Sequence, residues 1–205
     1  MARILGLDVG ARTVKAVVLD ATYRSTAVAA TRQAPVPDGE EPLRDRQVAA
    51  VKALLEGVAF ETAIVALPGI AAGHHVTLPF IDSRRVEQTV GFEVEAQMPF
   101  DLAETAWDWQ LLQARDGKSE IFVAVVKREE LAGLLAGLAG AGVDPRAVVP
   151  AGLAYSALFG AGVLAAEAPA DAPPGAEAVL DVGATRASLC VVVGGSCETA
   201  RTFPA

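Results

Sequence analysis

Apolar residues follow two different periods along this chain, and the switches between them mark its elements. Ile4 to Val9 and Val14 to Leu19 are β-rich runs separated by Gly-Ala-Arg-Thr, which predicts a hairpin with Gly10 at the bend. Ser25 to Gln33 offers a third strand, and the Pro-rich stretch 34–42 a loop. Leu43, Val48, Val51, Leu54 and Leu55 then recur at helical spacing, with Gly57 placed to cap the helix end. Residues 62–69, "TAIVALPG", form a short buried strand that runs into a turn. The first unit is therefore β-β-β-α-β.

A second unit follows. Residues 74–80, "HHVTLPF", are strand-like, and Asp82 or Ser83 can cap the helix that comes next. That helix places Val86, Val90 and Val94 on one face, with Phe92 off to the side, and stops before Pro99. Trp107, Trp109 and Leu111 alternate, as in a half-buried strand. Residues 116–118 make a turn, and "SEIFVAVV" is the partner strand. Leu131, Leu134, Leu135 and Leu138 mark a helix over 127–140, and "GAGVDPRAVVP" leads out of it. The expectation is a compact β-α-β-β-α subdomain over 71–150, inserted after a first lobe of 1–70. An Ala-rich helix at 151–166, containing Tyr155 and Phe159, belongs with that first lobe. The stretch 168–178 reads as a linker.

The chain then repeats itself. Residues 5–20 read "LGLDVGARTVKAVVLD" and residues 178–193 read "AVLDVGATRASLCVVV". Each has an apolar run, Asp-Val-Gly, a polar turn and a second apolar run. A third strand, "ETARTFPA", closes the sequence, so 176–205 is expected to begin a second lobe. The first copy predicts that a helix and more strands should follow, and the 205 residues read as a fragment of a longer protein with its second lobe truncated.

Composition narrows the classes. With 52% apolar and 20% charged residues the chain is globular. A net charge of −8 offers no basic surface for nucleic acid. No run of about 18 apolar residues is available to span a membrane. Cys190 and Cys197 lack metal-ligand spacing and read as reduced, structural residues.

The repeated hairpin carries the candidate chemistry. A strand ending in Asp with Gly at the bend exposes successive backbone N–H groups, a nest that can cradle phosphate. Asp8, Gly10, Thr13 and Lys15 form the first such loop, and Asp181, Gly183 and Thr185 the second. The hydroxyls add donors, Lys15 adds a cation, and either Asp can hold hydrated Mg²⁺. Two facing hairpins would clamp a nucleotide. The plain alternative is that Asp-Gly turns are common in hairpins and Lys15 is a solvated strand residue.

The two hairpins resemble the phosphate loops of the actin/Hsp70/sugar-kinase superfamily. More specifically, "ALPGIAAGHHVTLPFID", "VGFEVEAQMPFDLAETAWDWQLL" and "IFVAVVKREELAGLLAGLAGAGVDPRAVVP" resemble the GspL and PilM proteins in order and spacing. That resemblance implies an α/β, actin-like ATPase (RNase H-like) fold with mixed sheets and an inserted subdomain. It implies a GspL-like scaffold on the cytoplasmic face of the bacterial inner membrane. Its partners would be a secretion or pilus ATPase (GspE- or PilB-like) and a GspM- or PilN-like membrane protein. The alternative is a PilM-like switch that binds ATP and Mg²⁺ and docks a PilN peptide; the GspL reading requires no cofactor. The first loop departs from the PilM pattern, with Ala11 and Arg12 where Ser or Thr is usual. The helix "PAGLAYSALF" offers no acid, Gln or His to orient water, so hydrolysis is not expected. An open strand edge in the second lobe invites homodimerisation.

Other candidates carry bland readings. His74 and His75 are adjacent in a strand and point to opposite faces. Glu93 and Glu95 are two apart on a helix and do not face each other. Met98, Pro99 and Phe100 read as an apolar knot, either core or a partner groove.

Overall fold

The computed structural model describes residues 2–67, 71–98, 101–164, 175–193 and 196–205. Pro99, Phe100, the end of the helix expected at 151–166 and most of the expected linker lie outside them.

The first sheet forms from β1 (Ala2–Val9), β2 (Thr13–Ala21), β3 (Thr26–Pro35) and β4 (Thr62–Leu67), with α1 (Leu43–Leu54) crossing between β3 and β4. β1, β2 and β3 form an antiparallel meander, and β4 runs parallel to β1. Leu5, Leu7, Val9, Val14, Ala16 and Val18 alternate inward against Val51 and Leu54 of α1. Leu43, expected on that helical face, is 39% exposed, because it sits in the first turn beyond the sheet edge. The helix ends earlier than expected, with Leu55 as C-cap; Gly57, at φ 71°, ends the turn beyond it. Arg32 of β3 donates to the carbonyls of Leu54 and Glu56, satisfying acceptors that a helix end leaves open.

The second sheet, order β5-β7-β6, is fully antiparallel. It is built from β5 (Ala71–Leu78), β6 (Thr105–Arg115) and β7 (Lys118–Lys127), with α2 (Ser83–Glu95) between β5 and β6. Asp82 caps α2, accepting from the Arg85 N–H at 2.9 Å. Val86, Val90 and Val94 are buried against Ile121, Val123 and Val125. Of the alternating trio, Trp109 and not its neighbours packs on that core. Trp107 and Leu111 stay 37% and 45% exposed, and the register shifts between Leu111 and Gln113. Glu93 and Glu95 are solvent-exposed, and Met98 packs against the same core.

The chain after β7 departs from expectation. α3 (Arg128–Gly140) packs on α1, where a Cβ on Gly137 would come within 2.8 Å of the Val48 side chain. Leu138 and Val143 enter the core of the first sheet. The segment read as a mere exit from the helix is β8 (Pro145–Pro150), paired parallel to β4. The first sheet therefore has the order β3-β2-β1-β4-β8. Residues expected in the insert up to 150 rejoin the first sheet after Lys127. The physical reason is that β4 leaves a parallel edge open, and α3 with β8 closes it as a crossover unit.

α4 (Ala151–Gly160) follows β8 directly. The third sheet, order β11-β10-β9, holds β9 (Ala176–Val182), β10 (Arg186–Val193) and β11 (Ser196–Pro204). α4 lies against β10 and β11 and also touches β4 and β8. β5 approaches β11 closely: a Cβ on Gly73 would stand 2.7 Å from the Ala200 carbonyl oxygen and 2.6 Å from the Phe122 ring. His74 and His75 face opposite sides as expected, and the Nε2 of His74 is buried without a hydrogen-bond partner.

Three outcomes test this packing. Leu138→Ala should cost about 3 kcal/mol in denaturant unfolding if α3 belongs to the first core; a change within about 0.5 kcal/mol, typical of a surface site, would place it outside. Gly73→Ala should cost about 1–3 kcal/mol by overpacking the β5–β11 contact. Burial, reinforced by Arg201, lowers the His74 pKa below its ordinary 6.5. Protonating it in the folded state is therefore unfavourable, so stability should fall as pH drops below about 6.5. His74→Leu should flatten that acid limb in a pH series of melting curves.

Candidate functional site

The two Asp-Val-Gly corners are equivalent in the fold. In β1–β2, Asp8 stands opposite Lys15; in β9–β10, Asp181 stands opposite Ser188, the same offset. Gly10 and Gly183 are required by close approach. A Cβ would lie 2.6 Å from the Thr13 carbonyl oxygen in the first corner and 2.8 Å from that of Arg186 in the second. Both corners open antiparallel meanders that lie in separate sheets. The duplication read in the sequence is thus a duplication of topology.

Each sequence-predicted residue has a definite place. Asp8 ends β1 and pairs with Lys15 across the hairpin, Nζ to Oδ2 at 3.4 Å. Both side chains are well exposed, so the pair adds little stability. Thr13 opens β2, half-buried and opposite Pro35. The Gly10 carbonyl accepts from Gln47 Nε2 of α1 at 2.9 Å, which ties the corner to the helix below it. In the second corner the Gly183 N–H donates to the Arg186 carbonyl at 2.9 Å, so the corner closes on itself. Thr185 is exposed, and its carbonyl accepts from the Ala205 N–H.

Two residues outside the predicted set hold this region. Gln47 is one. The other is Tyr155 of α4, whose hydroxyl donates to Asp181 Oδ2 at 2.7 Å. Desolvation first, then the hydrogen bond to Asp181 and the negative charges of Asp181 and Asp8, push the phenol pKa well up. In the sequence Tyr155 was merely an aromatic in an Ala-rich helix. The available signal was that it is the single polar-tipped aromatic of that helix.

The polar groups at both corners have partners within the protein. The Asp181 carboxylate is engaged by a phenol, Asp8 by Lys15, and the Gly183 N–H is turned inward. Beside Asp8 and Lys15 lies an open cleft of about 1360 Å³ between the first sheet, α4 and β6. Its surface is mainly apolar, with Gly6, Val17, Ile64, Leu111 and Leu158 among its residues. Among the described residues no group of three or more His, Cys, Asp or Glu is placed to hold a metal. Cys190 and Cys197 are free and buried side by side; the hydrogen bond that the Cys197 thiol donates to Cys190, and then burial, push the Cys197 thiol up.

Comparison with known proteins follows the same lines. The structure matches the cytoplasmic domain of EpsL, an inner membrane component of the type II secretion system of Vibrio cholerae. The match has a TM-score of 0.60 at 15% identity and covers 99% of this chain and 71% of that one. It also matches a Bacteroides thetaiotaomicron protein with an actin-like ATPase fold and unknown function. There the TM-score is 0.54 at 7% identity, covering 100% of this chain and 70% of the other. At these identities the likeness establishes the fold: actin-like, α/β, with mixed sheets. A comparison with curated protein sequences finds no match. The family model for type II secretion system (T2SS) protein L matches residues 40–156, more than half the chain. That span holds the whole β5-β7-β6 sheet, α2, α3 and β8, and with them the three segments on which the resemblance to GspL and PilM rested. The chain belongs to the type II secretion system protein L family and is a component of that secretion machinery.

Proposed function

We propose that this chain is a protein-binding scaffold of the secretion machinery's inner-membrane platform, which docks the secretion ATPase and couples it to a membrane partner. The chain acts by binding and carries out no hydrolysis. One observation carries this reading: at the second of the two corners that would form a nucleotide clamp, the Asp181 carboxylate accepts a hydrogen bond from the protein's own Tyr155. Catalysis in such a fold requires carboxylates open to a cation and a group that orients water. α4 presents neither an acid nor a Gln toward the corners.

The support for an adaptor is also physical. The fold displays large exposed apolar residues on separate units, among them Phe92 on α2 at 73% exposure and Tyr23 at the β2–β3 tip, fully exposed. Exposed aromatics are the residue types that anchor protein interfaces. No described helix is long and apolar enough to cross a membrane, so attachment to the membrane through this region would run through a partner. On this reading the location is the cytoplasmic face of the inner membrane. A PilM-like, nucleotide-driven switch is the alternative, and the occupied second corner weighs against it.

The test is direct co-purification. The chain, co-expressed with the secretion ATPase of the same system, should elute with it as one complex in gel filtration. Phe92→Asp and Tyr23→Asp should be made separately to ask which unit carries the contact. If the wild-type chain and the ATPase elute apart at tens of micromolar, and the membrane partner also fails to bind, the scaffold reading fails.

A further inference from the structure

We infer that the Tyr155 hydroxyl is a built-in latch: it fastens α4 to the second hairpin corner and takes up the Asp181 carboxylate that a cation at this corner would need. The inference is independent of which partners the chain binds.

Three observations carry it. First, the bond is short and ionic in character, a phenol donating to a carboxylate at 2.7 Å, and such charge-assisted bonds are stronger than neutral ones. Second, Tyr155 is anchored at both ends. Its ring packs on the cluster of Phe122, Cys190, Val192, Cys197 and Ala200, which draws on the second and third sheets, while its hydroxyl reaches the corner. Third, α4 follows β8 without a break, and β8 is an edge strand of the first sheet. A bond from α4 to Asp181 therefore ties the first sheet to the corner of the third. Asp181 is otherwise a solvent-exposed residue near the end of an edge strand, and among the described residues its carboxylate has no second hydrogen-bond partner. A side chain of the helix that continues the first sheet thus holds the corner of the third.

The latch predicts a specific pattern of hydrogen exchange, measured by mass spectrometry on the full chain. Tyr155→Phe keeps the ring and deletes the donor. It should speed exchange about fivefold in peptides covering α4 and residues 182–188, the factor expected for losing one such bond. Peptides from the β5-β7-β6 sheet should be unchanged. Asp181→Ala, at an exposed position, should give the same increase, and the double variant should be no faster than either single. Asp181→Asn, which keeps an acceptor oxygen, should restore part of the protection. Should Tyr155→Phe fail to fold, Asp181→Ala against Asp181→Asn decides alone. Exchange unchanged within twofold in Asp181→Ala, or effects that add in the double variant, would overturn the latch. So would wild-type protein that depletes the paramagnetic resonance signal of free Mn²⁺ in an Asp181-dependent way, since a cation would then hold the carboxylate assigned to the phenol.

Discussion

The arrangement of this molecule depends on one apolar contact zone, where α4 meets the second and third sheets. Phe122 of β7, Cys190 and Val192 of β10, and Cys197 and Ala200 of β11 are buried there, with Leu153, Tyr155 and Phe159 of α4 packed against them. β7 is the central strand of its sheet and is covered on both sides: Ile121, Val123 and Val125 face α2, while Phe122 faces this zone. The tight seat of Gly73 on the Ala200 carbonyl belongs to the same contact, since any side chain there would push β5 off β11. Elsewhere the first and second sheets meet through α3, which packs on α1 and also touches β6 and β7.

That geometry bears directly on function. α4 is the continuation of a first-sheet strand, yet it packs on the third sheet and places Tyr155 against Asp181. The two hairpin corners share their tight turn, with a glycine in each where a Cβ would collide with a backbone carbonyl. Their carboxylates, however, are spent on internal partners. What the fold offers to other molecules is surface: a broad apolar cleft beside α4 and exposed aromatics on the outer units. Membership in the protein L family gives that surface a setting in type II secretion.

Much of this was legible in the sequence, and the reasons differ by element. The hairpin corners could be read because Gly at a close approach and Asp at a strand end are dictated locally, and both recur. Val86, Val90 and Val94 could be read because an amphipathic helix over a sheet writes its face at a period near 3.6. β8 was missed because Pro145 and Pro150 bound a run of only six residues, and its identity as a strand comes from pairing with β4. The same miss misplaced α3, whose side chains form a leucine-rich stripe that fits either core; only the glycine-lined approach to Val48 decides it. At the site, the named residues Asp8, Gly10, Thr13, Lys15, Asp181, Gly183 and Thr185 do gather at two equivalent corners. Their actual partners were not legible, because Gln47 and Tyr155 reach them from helices far away in sequence and nothing local marks that reach.

The central claim is that this chain holds each corner with its own side chains, Gln47 at the first and Tyr155 at the second, so that a nucleotide has no role in holding them. Calorimetric unfolding in the presence of millimolar Mg²⁺–ATP tests it most directly, because any ligand of the folded state raises the melting temperature by mass action. The account predicts the same melting temperature with and without nucleotide. A rise of several degrees that disappears in Asp8→Ala would contradict it.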